Sequence, residues 1–167
     1  MRCPCCGFEN ISGSDECESC LENLSSIDGV VPTGRVTKSL MEDPIAKLEP
    51  RDGIWVRRDA SVLDAVREMN RNKVGCVFVG KERLEGILTE RDVVFKVLAK
   101  GKKPADLPVH SVMTASPTTL DDDDSLAYAL NAMSVGGFRH VPILRQGKPT
   151  GVISVRDILN YLAKLFS

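Results

Sequence analysis

The 167-residue chain contains no uncharged apolar run approaching the ~18 to 20 residues that a membrane-spanning helix requires. Its first residues, Met1-Arg2-Cys3-Pro4, carry none of the apolar stretch of a secretory signal. A soluble, cytoplasmic protein is therefore expected, with no membrane partner. Positive charge is not in excess: 22 basic side chains face 23 acidic ones, and aromatics make up only 5%. That balance disfavours a general nucleic-acid coat protein. Histidine is almost missing, with His110 and His140 alone, and no G-x-x-x-x-G-K-[ST] phosphate loop occurs. Nucleophilic catalysis needs a nucleophile, a base and an orienting group, and neither histidine has a recognisable companion, so no enzymatic activity is expected. What is present, 43% hydrophobic and 27% charged residues, suffices for one packed core with or without a small appendage.

Six cysteines are distributed unevenly: Cys3, Cys5, Cys6, Cys17 and Cys20 crowd the first 20 residues, and Cys76 stands alone. Cys3-x-x-Cys6 and Cys17-x-x-Cys20 form two knuckles, each able to point two sulfurs at one ion. Four thiolates in a tetrahedron suit a closed structural zinc site, which leaves no coordination position for a catalytic water. Gly7 follows the first knuckle, where a positive φ lets amides approach the sulfurs, and Pro4 stiffens the same turn. Leu21 occupies the matching place in the second knuckle, making it the less ideal half. Residues 1–24 resemble a short zinc ribbon on these C-P-x-C-G and C-x-x-C motifs, with Cys3, Cys6, Cys17 and Cys20 as ligands and Cys5 as a spectator. Rubredoxin-like iron in an electron-transfer or metal-responsive protein is an alternative, as is a redox disulfide. Within residues 1–30 the only basic side chain is Arg2, against Glu9, Asp15, Glu16, Glu18, Glu22 and Asp28. Phosphate backbones are held by lysine and arginine, so a nucleic-acid adaptor is a disfavoured third reading and a protein partner fits the ribbon better.

The remaining chain repeats itself. Ser61–Met69 aligns with Ser125–Met133, and Gly86-Ile-Leu-Thr-Glu-Arg-Asp-Val93 aligns with Gly151-Val-Ile-Ser-Val-Arg-Asp-Ile158, with one residue inserted near Gly147. Val62, Ala65, Val66 and Met69, matched by Leu126, Ala129, Leu130 and Met133, recur at helical spacing behind the capping residues Ser61 and Ser125. Two short apolar runs follow in each copy (76–79 and 86–88; 141–144 and 151–153), then a second helix (92–100; 157–166), the former ended by Gly101. The expected unit is β-α-β-β-α. The expected layout is a ribbon over 1–27, a linker over 28–37, and repeats over 38–103 and 104–167.

This order, together with G-I-L-T-E-R-D, G-V-I-S-V-R-D, Ser111-Val-Met-Thr and Arg139-His-Val-Pro-Ile, resembles a tandem pair of cystathionine-β-synthase (CBS) domains. With the ribbon, the chain is similar to prokaryotic zinc-ribbon CBS proteins. The resemblance implies an α+β fold of two pseudo-symmetrically paired units and a homodimer. It also implies a regulatory role, with an adenine nucleotide (AMP, ADP, ATP) or a related adenosyl ligand held between the repeats.

The residues support a sugar–phosphate site on their own chemistry. Thr89 and Ser154 each end a strand, and Asp92 and Asp157, three residues on, are each expected to open a helix. A hydroxyl at a strand end can donate to a phosphate oxygen, and a helix N-terminus offers amides and a positive dipole to the same anion. A carboxylate would repel the phosphate, so Asp92 and Asp157 are expected to accept from ribose hydroxyls. An ordinary helix cap is the competing reading of S/T-x-x-D. Arg139 and His140 in repeat 2 correspond to Gly75 and Cys76 in repeat 1, so unequal sites are expected, with charged phosphates favoured on the Arg139/His140 side. Asp121–Asp124 reads as a solvated acidic turn, His110 as inert, and Cys76 as a small core residue.

Overall fold

The computed structural model describes residues 2–3, 6–11, 14–24, 34–81 and 83–166. Pro4 and Cys5, and most of the expected linker, lie outside the described residues. The elements run α1 (Arg35–Glu42), β1 (Trp55–Val56), α2 (Val62–Asn72), β2 (Cys76–Gly80), β3 (Leu84–Thr89), α3 (Glu90–Asp92), β4 (Thr114–Ala115), β5 (Leu120–Asp121), α4 (Leu126–Gly136), β6 (His140–Arg145), β7 (Lys148–Ser154) and α5 (Val155–Ala163). The order β-α-β-β-α therefore occurs twice, in an α+β fold with two sheets. Two details differ from the sequence reading. Helix α1 starts at Arg35, inside the span read as linker. The helix after β3 widens into a π-turn over Val93–Val97 and tightens over Leu98–Lys100 before Gly101, at φ 63°, ends it. No helix among the described residues is long and apolar enough to cross a membrane.

Two compact units form: one from Met1–Glu49, Asp122–Arg139 and Ile153–Ser167, the other from Pro50–Asp121 and His140–Val152. In the second unit, strands order β1-β2-β3-β4, with β1–β2 parallel and β2–β3–β4 antiparallel, and β5 pairs parallel with β6. All five residues of β2 are buried, because both of its faces are covered. Val77 and Val79 join Val62, Ala65 and Met69 of α2 in one core; Cys76 and Phe78 pack with Ile87 and Val152 on the other side. Period-2 alternation on the strand and 3.6 periodicity on the helix thus meet in register.

Gly86 and Gly151, the first residues of the two matched motifs, sit where another backbone crosses. A Cβ on Gly86 would lie 2.9 Å from the Thr114 carbonyl oxygen, and one on Gly151 would lie 2.9 Å from the Arg51 carbonyl oxygen. Both are below any real Cβ contact, so only glycine fits. The Gly86 crossing carries the β3–β4 pairing, and the Gly151 crossing carries the bridge between Arg51 and Val152. The lead-in of each repeat therefore pairs with the motif strand of the other.

In the first unit, α1 packs on α4, and the 45–48 turn packs on α5. Asp43, just past α1, gathers three donors: the Ser39 hydroxyl, the Lys47 ammonium and the Tyr161 hydroxyl of α5, the last at 2.8 Å. Lys47 foremost, with Ser39, holds its carboxyl at about 2, against an ordinary 3.8. A depressed native pKa stabilises the fold above the ordinary value and loses that stabilisation as acid protonates the group. Thermal midpoints of the wild type should therefore fall between about pH 4 and about pH 2 more steeply than those of Asp43→Asn, which starts lower at neutral pH. Parallel curves would show that Asp43 is not the titrating tether.

Candidate functional site

The cysteine ribbon is built as two copies of one small hairpin. Gly7 N–H donates to the Cys3 carbonyl at 2.9 Å, and Leu21 N–H to the Cys17 carbonyl at 2.9 Å. Cys3 N–H donates to Phe8 O at 2.8 Å, and Cys17 N–H to Glu22 O at 2.8 Å. Bridges Arg2–Glu9 and Glu16–Asn23 close the two turns. Each hairpin needs a left-handed residue at the same place, filled by Gly7 (φ 76°) and by Leu21 (φ 60°). The second knuckle is thus the strained one, as its sequence implies.

The Sγ atoms of Cys3, Cys6, Cys17 and Cys20 all lie within 4.8 Å of one another. Cys3–Cys20 and Cys6–Cys17 are each 3.6 Å apart. A tetrahedron of thiolates at ~2.3 Å from zinc has edges of about 3.8 Å, so the four sulfurs can hold a metal ion of this kind. Cys3 and Cys17 are buried, and the buried Asn10 donates to Cys17 Sγ at 3.5 Å while accepting from the Glu18 amide at 3.0 Å. Burial opposes ionisation of Cys17, but bonds from the Cys20 and Ser19 amides and from Asn10 outweigh it and bring the thiol down to about 6. The Glu22 amide favours the Cys20 thiolate, yet burial and the three neighbouring sulfurs push that thiol far upward. Ionising all four sulfurs at this spacing would need a cation among them, and the cluster could hold one.

The two strand-to-helix corners are also built alike. The Thr89 amide and hydroxyl both donate to Asp92 Oδ2, at 3.0 and 2.6 Å. The Ser154 amide and hydroxyl both donate to Asp157 Oδ2, at 2.7 and 2.6 Å. Glu90 N–H donates to Gly75 O at 3.1 Å, and Val155 N–H to Arg139 O at 3.2 Å, tying each corner to the residue just before the preceding strand. Each S/T-x-x-D pair is therefore a capping box.

The copies diverge at their polar neighbours. The other oxygen of buried Asp92 meets Lys96 Nζ at 2.6 Å, and Lys96 also donates to Val112 O at 3.0 Å. The residue at the matching position of repeat 2 is Tyr161, which bonds Asp43 instead. Arg139 is exposed and His140 half-buried. The His140 ring fills the space over Gly75: a Cβ there would lie 3.0 Å from Cε1 and Nε2, and 3.5 Å from Glu90 Oε2. The imidazole thus stands at the repeat 1 corner, while the Arg139 backbone belongs to the repeat 2 corner. The Asp92–Lys96 pair escaped the sequence reading, although its i,i+4 spacing was a visible signal. Placement of His140 over Gly75 had no local signal. Cys76 and Phe78 are core residues, Trp55 is partly exposed and stacks edge-on against Phe78 at 5.3 Å, and the Asp124 of the acidic turn is buried rather than solvated.

Comparison with known proteins places this geometry. The family model for the CBS domain matches residues 38–99 and 109–164. A 17.7 kDa protein of Acidianus ambivalens is 34% identical over 110 residues, covering 64% of this chain and 65% of that protein. The chain spans just under two thirds of that relative and 22% of matching CBS-domain proteins of Arabidopsis thaliana. Among solved structures, a conserved protein from Pyrococcus horikoshii superposes with a TM-score of 0.66 at 28% identity, covering 72% of this chain and 92% of that one. A CBS domain protein from Pyrobaculum aerophilum, complexed with AMP, gives 0.62 at 25% identity, covering 72% and 98%.

The cysteine geometry yields a direct expectation. Full-length protein should bind one metal ion per chain; Cys17→Ser should lose it, and Cys76→Ser should keep it. Leu21→Gly should demand more chelator to strip the ion, a gain of up to about 1 kcal/mol from relieved backbone strain. Retained metal in Cys17→Ser would dismiss the four-sulfur site.

Proposed function

The chain belongs to the CBS-domain family, and from that premise we propose that it is a regulatory module, not an enzyme, that senses an adenine nucleotide or a related adenosyl ligand. The observation that carries this reading is the duplicated corner, in which one hydroxyl, one carboxylate and one helix start recur with the same hydrogen bonds. The AMP complex of the Pyrobaculum relative supports the choice of ligand class.

Binding at such a corner exchanges one hydrogen bond for others. The Thr89 or Ser154 hydroxyl now donates to its aspartate. Turning that proton onto a phosphate oxygen frees a lone pair on Asp92 or Asp157 for a ribose hydroxyl, while the backbone amide keeps the carboxylate in place. His140 offers a cationic or neutral ring at the first corner, and Arg139 a fixed positive charge near the second. Lys96 neutralises Asp92, which otherwise repels an incoming phosphate. Adenine would pack on apolar strand residues.

Zinc is the metal proposed for the ribbon, with Cys3, Cys6, Cys17 and Cys20 as ligands. The closed set of four sulfurs makes it structural. A colourless metal-loaded protein supports zinc, and a red one with iron by metal analysis would replace it with the rubredoxin-like reading. Two chains are proposed to pair through the helices that follow the corners. Val94, Phe95 and Leu98 are exposed apolar residues after β3, and Leu159, the counterpart of Val94, is exposed on α5. The acidic ribbon would report the ligand state to a protein partner, and the protein is proposed to work in the cytoplasm.

The deciding experiment is a thermal-shift series on the full chain with AMP, ADP, ATP, NADH and S-adenosylmethionine. A ligand at ~100 Kd should add about 2.7 kcal/mol of stability. Losing a capping box itself costs about 1 kcal/mol, so the shift between free and liganded protein is the readout for each variant. Asp157→Ala or Asp92→Ala should abolish the larger part of that shift. The sensor reading fails if no adenosyl ligand moves the transition, and the corner assignment fails if both variants keep the full shift.

A further inference from the structure

Arg2, the residue before the first cysteine of the cluster, is half-exposed, but its guanidinium is engaged on several sides. Its guanidinium pairs with the carboxylate of Asp124, whose side chain is only 3% exposed. The Arg2 Cζ lies 5.1 Å from the centroid of the Tyr128 ring, and Arg2 Nε donates to Gly7 O at 3.2 Å. The Tyr128 hydroxyl in turn reaches the knuckle, 2.5 Å from where a Cβ on Gly7 would be. Asp124 and Tyr128 flank the start of α4: Asp124 precedes the N-cap Ser125, and Ser125 accepts from the Tyr128 amide at 3.2 Å. The far end of α4 closes at Gly137, two residues before Arg139, whose carbonyl holds the second corner. An 11-residue helix, about 16 Å long, thus runs from the cysteine knuckle to the Ser154/Asp157 corner.

We infer that the ribbon is an internal latch: metal held by the four cysteines fixes Arg2 against Asp124 and Tyr128, and this contact holds the start of α4 and, through it, the repeat 2 corner. The physical basis is short. Only a folded knuckle presents Arg2 with its guanidinium fixed by Gly7 O. A nearly buried carboxylate gains more from that partner than a surface pair would. The ring of Tyr128 adds a cation–π face on one side. Stripping the metal frees the knuckle, withdraws the guanidinium and leaves Asp124 to be hydrated by opening the first turn of α4. The four sulfurs and α4 are then thermodynamically linked, and ligand affinity at the second corner must rise with metal occupancy. That last consequence rests on the nucleotide reading above; the latch itself does not.

Hydrogen exchange of α4 peptides in the full chain, zinc-loaded and after chelation, tests the latch. Removing zinc from the wild type should speed exchange over residues 126–130 by about tenfold or more, the scale of a lost charge-assisted hydrogen bond. Zinc-loaded Arg2→Ala should exchange as fast as the stripped wild type while still holding one zinc, and chelation should add little. Asp124→Asn, which leaves the ribbon untouched, should give the same pattern if Arg2→Ala fails to retain metal. Unchanged α4 exchange on chelation of the wild type, or full metal sensitivity in both variants, would overturn the latch. In a parallel titration, chelation should weaken AMP binding at least about fivefold in the wild type and not in Arg2→Ala. Equal AMP affinity with and without zinc removes the link to the corner. Absence of AMP binding overturns the sensor reading alone, and the exchange measurement still decides the latch.

Discussion

Two backbone crossings organise the doubled fold. Where the Thr114 carbonyl passes Gly86 and the Arg51 carbonyl passes Gly151, no side chain fits. Each crossing lends one repeat's entry segment to the other repeat's motif strand. Without that exchange each motif strand would present a bare edge there, and the other repeat's lead-in covers it. Both motif strands then end at the same kind of corner, so the chemistry of Thr89 and Ser154 follows from the geometry imposed a few residues earlier. The buried face of β2, with Phe78 and Cys76 against Val152, fills the space that the crossings define.

At the corners, the atoms of the capping boxes are the same ones that the proposed ligand site would use. A carboxylate accepting two hydrogen bonds from one residue is stable without any guest, which would suit the proposed sensor, empty until its ligand arrives. The difference between the copies lies in their second partners. Lys96 on Asp92 and the imidazole over Gly75 make the first corner a more crowded and more charged place than the second. An inserted phosphate would meet compensating positive charge at both, but from different residues. Ligand can shift the packing of the repeats only by its differential affinity for the alternatives, so such inequality is useful in a sensor.

The cysteine ribbon extends the theme of duplication to a smaller scale. Its two hairpins repeat the same pair of backbone hydrogen bonds and a left-handed residue in each, although Leu21 is a poor choice for that conformation. A strained turn persists where surrounding bonds overdetermine it, and a metal held by the four sulfurs, as proposed, would supply that determination. Docking through Arg2 onto Asp124 and Tyr128 makes the ribbon part of the same unit as α4 and α5. This is a different role from a free-standing adaptor that only looks outward.

Local spacing was enough to read the paired cysteines, the helical stripe of Val62, Ala65 and Met69, the caps at Ser61 and Ser125, the doubled β-α-β-β-α order and the S/T-x-x-D corners. Apart from the doubling, read by aligning distant copies, these act within about four residues, the range over which turns, caps and helix faces are decided. What escaped was the choice of distant partners. Arg2 finds Asp124 across 122 positions, Tyr161 finds Asp43 across 118, and His140 settles over Gly75 rather than beside its own corner. Nor does any local pattern reveal that Gly86 and Gly151 face the lead-in of the opposite repeat. A side chain's chemistry limits which partners it can satisfy, but only chain topology brings one of them within 3 Å. Composition and spacing therefore determined the parts and their duplication here, and tertiary packing alone decided which buried charge meets which cation.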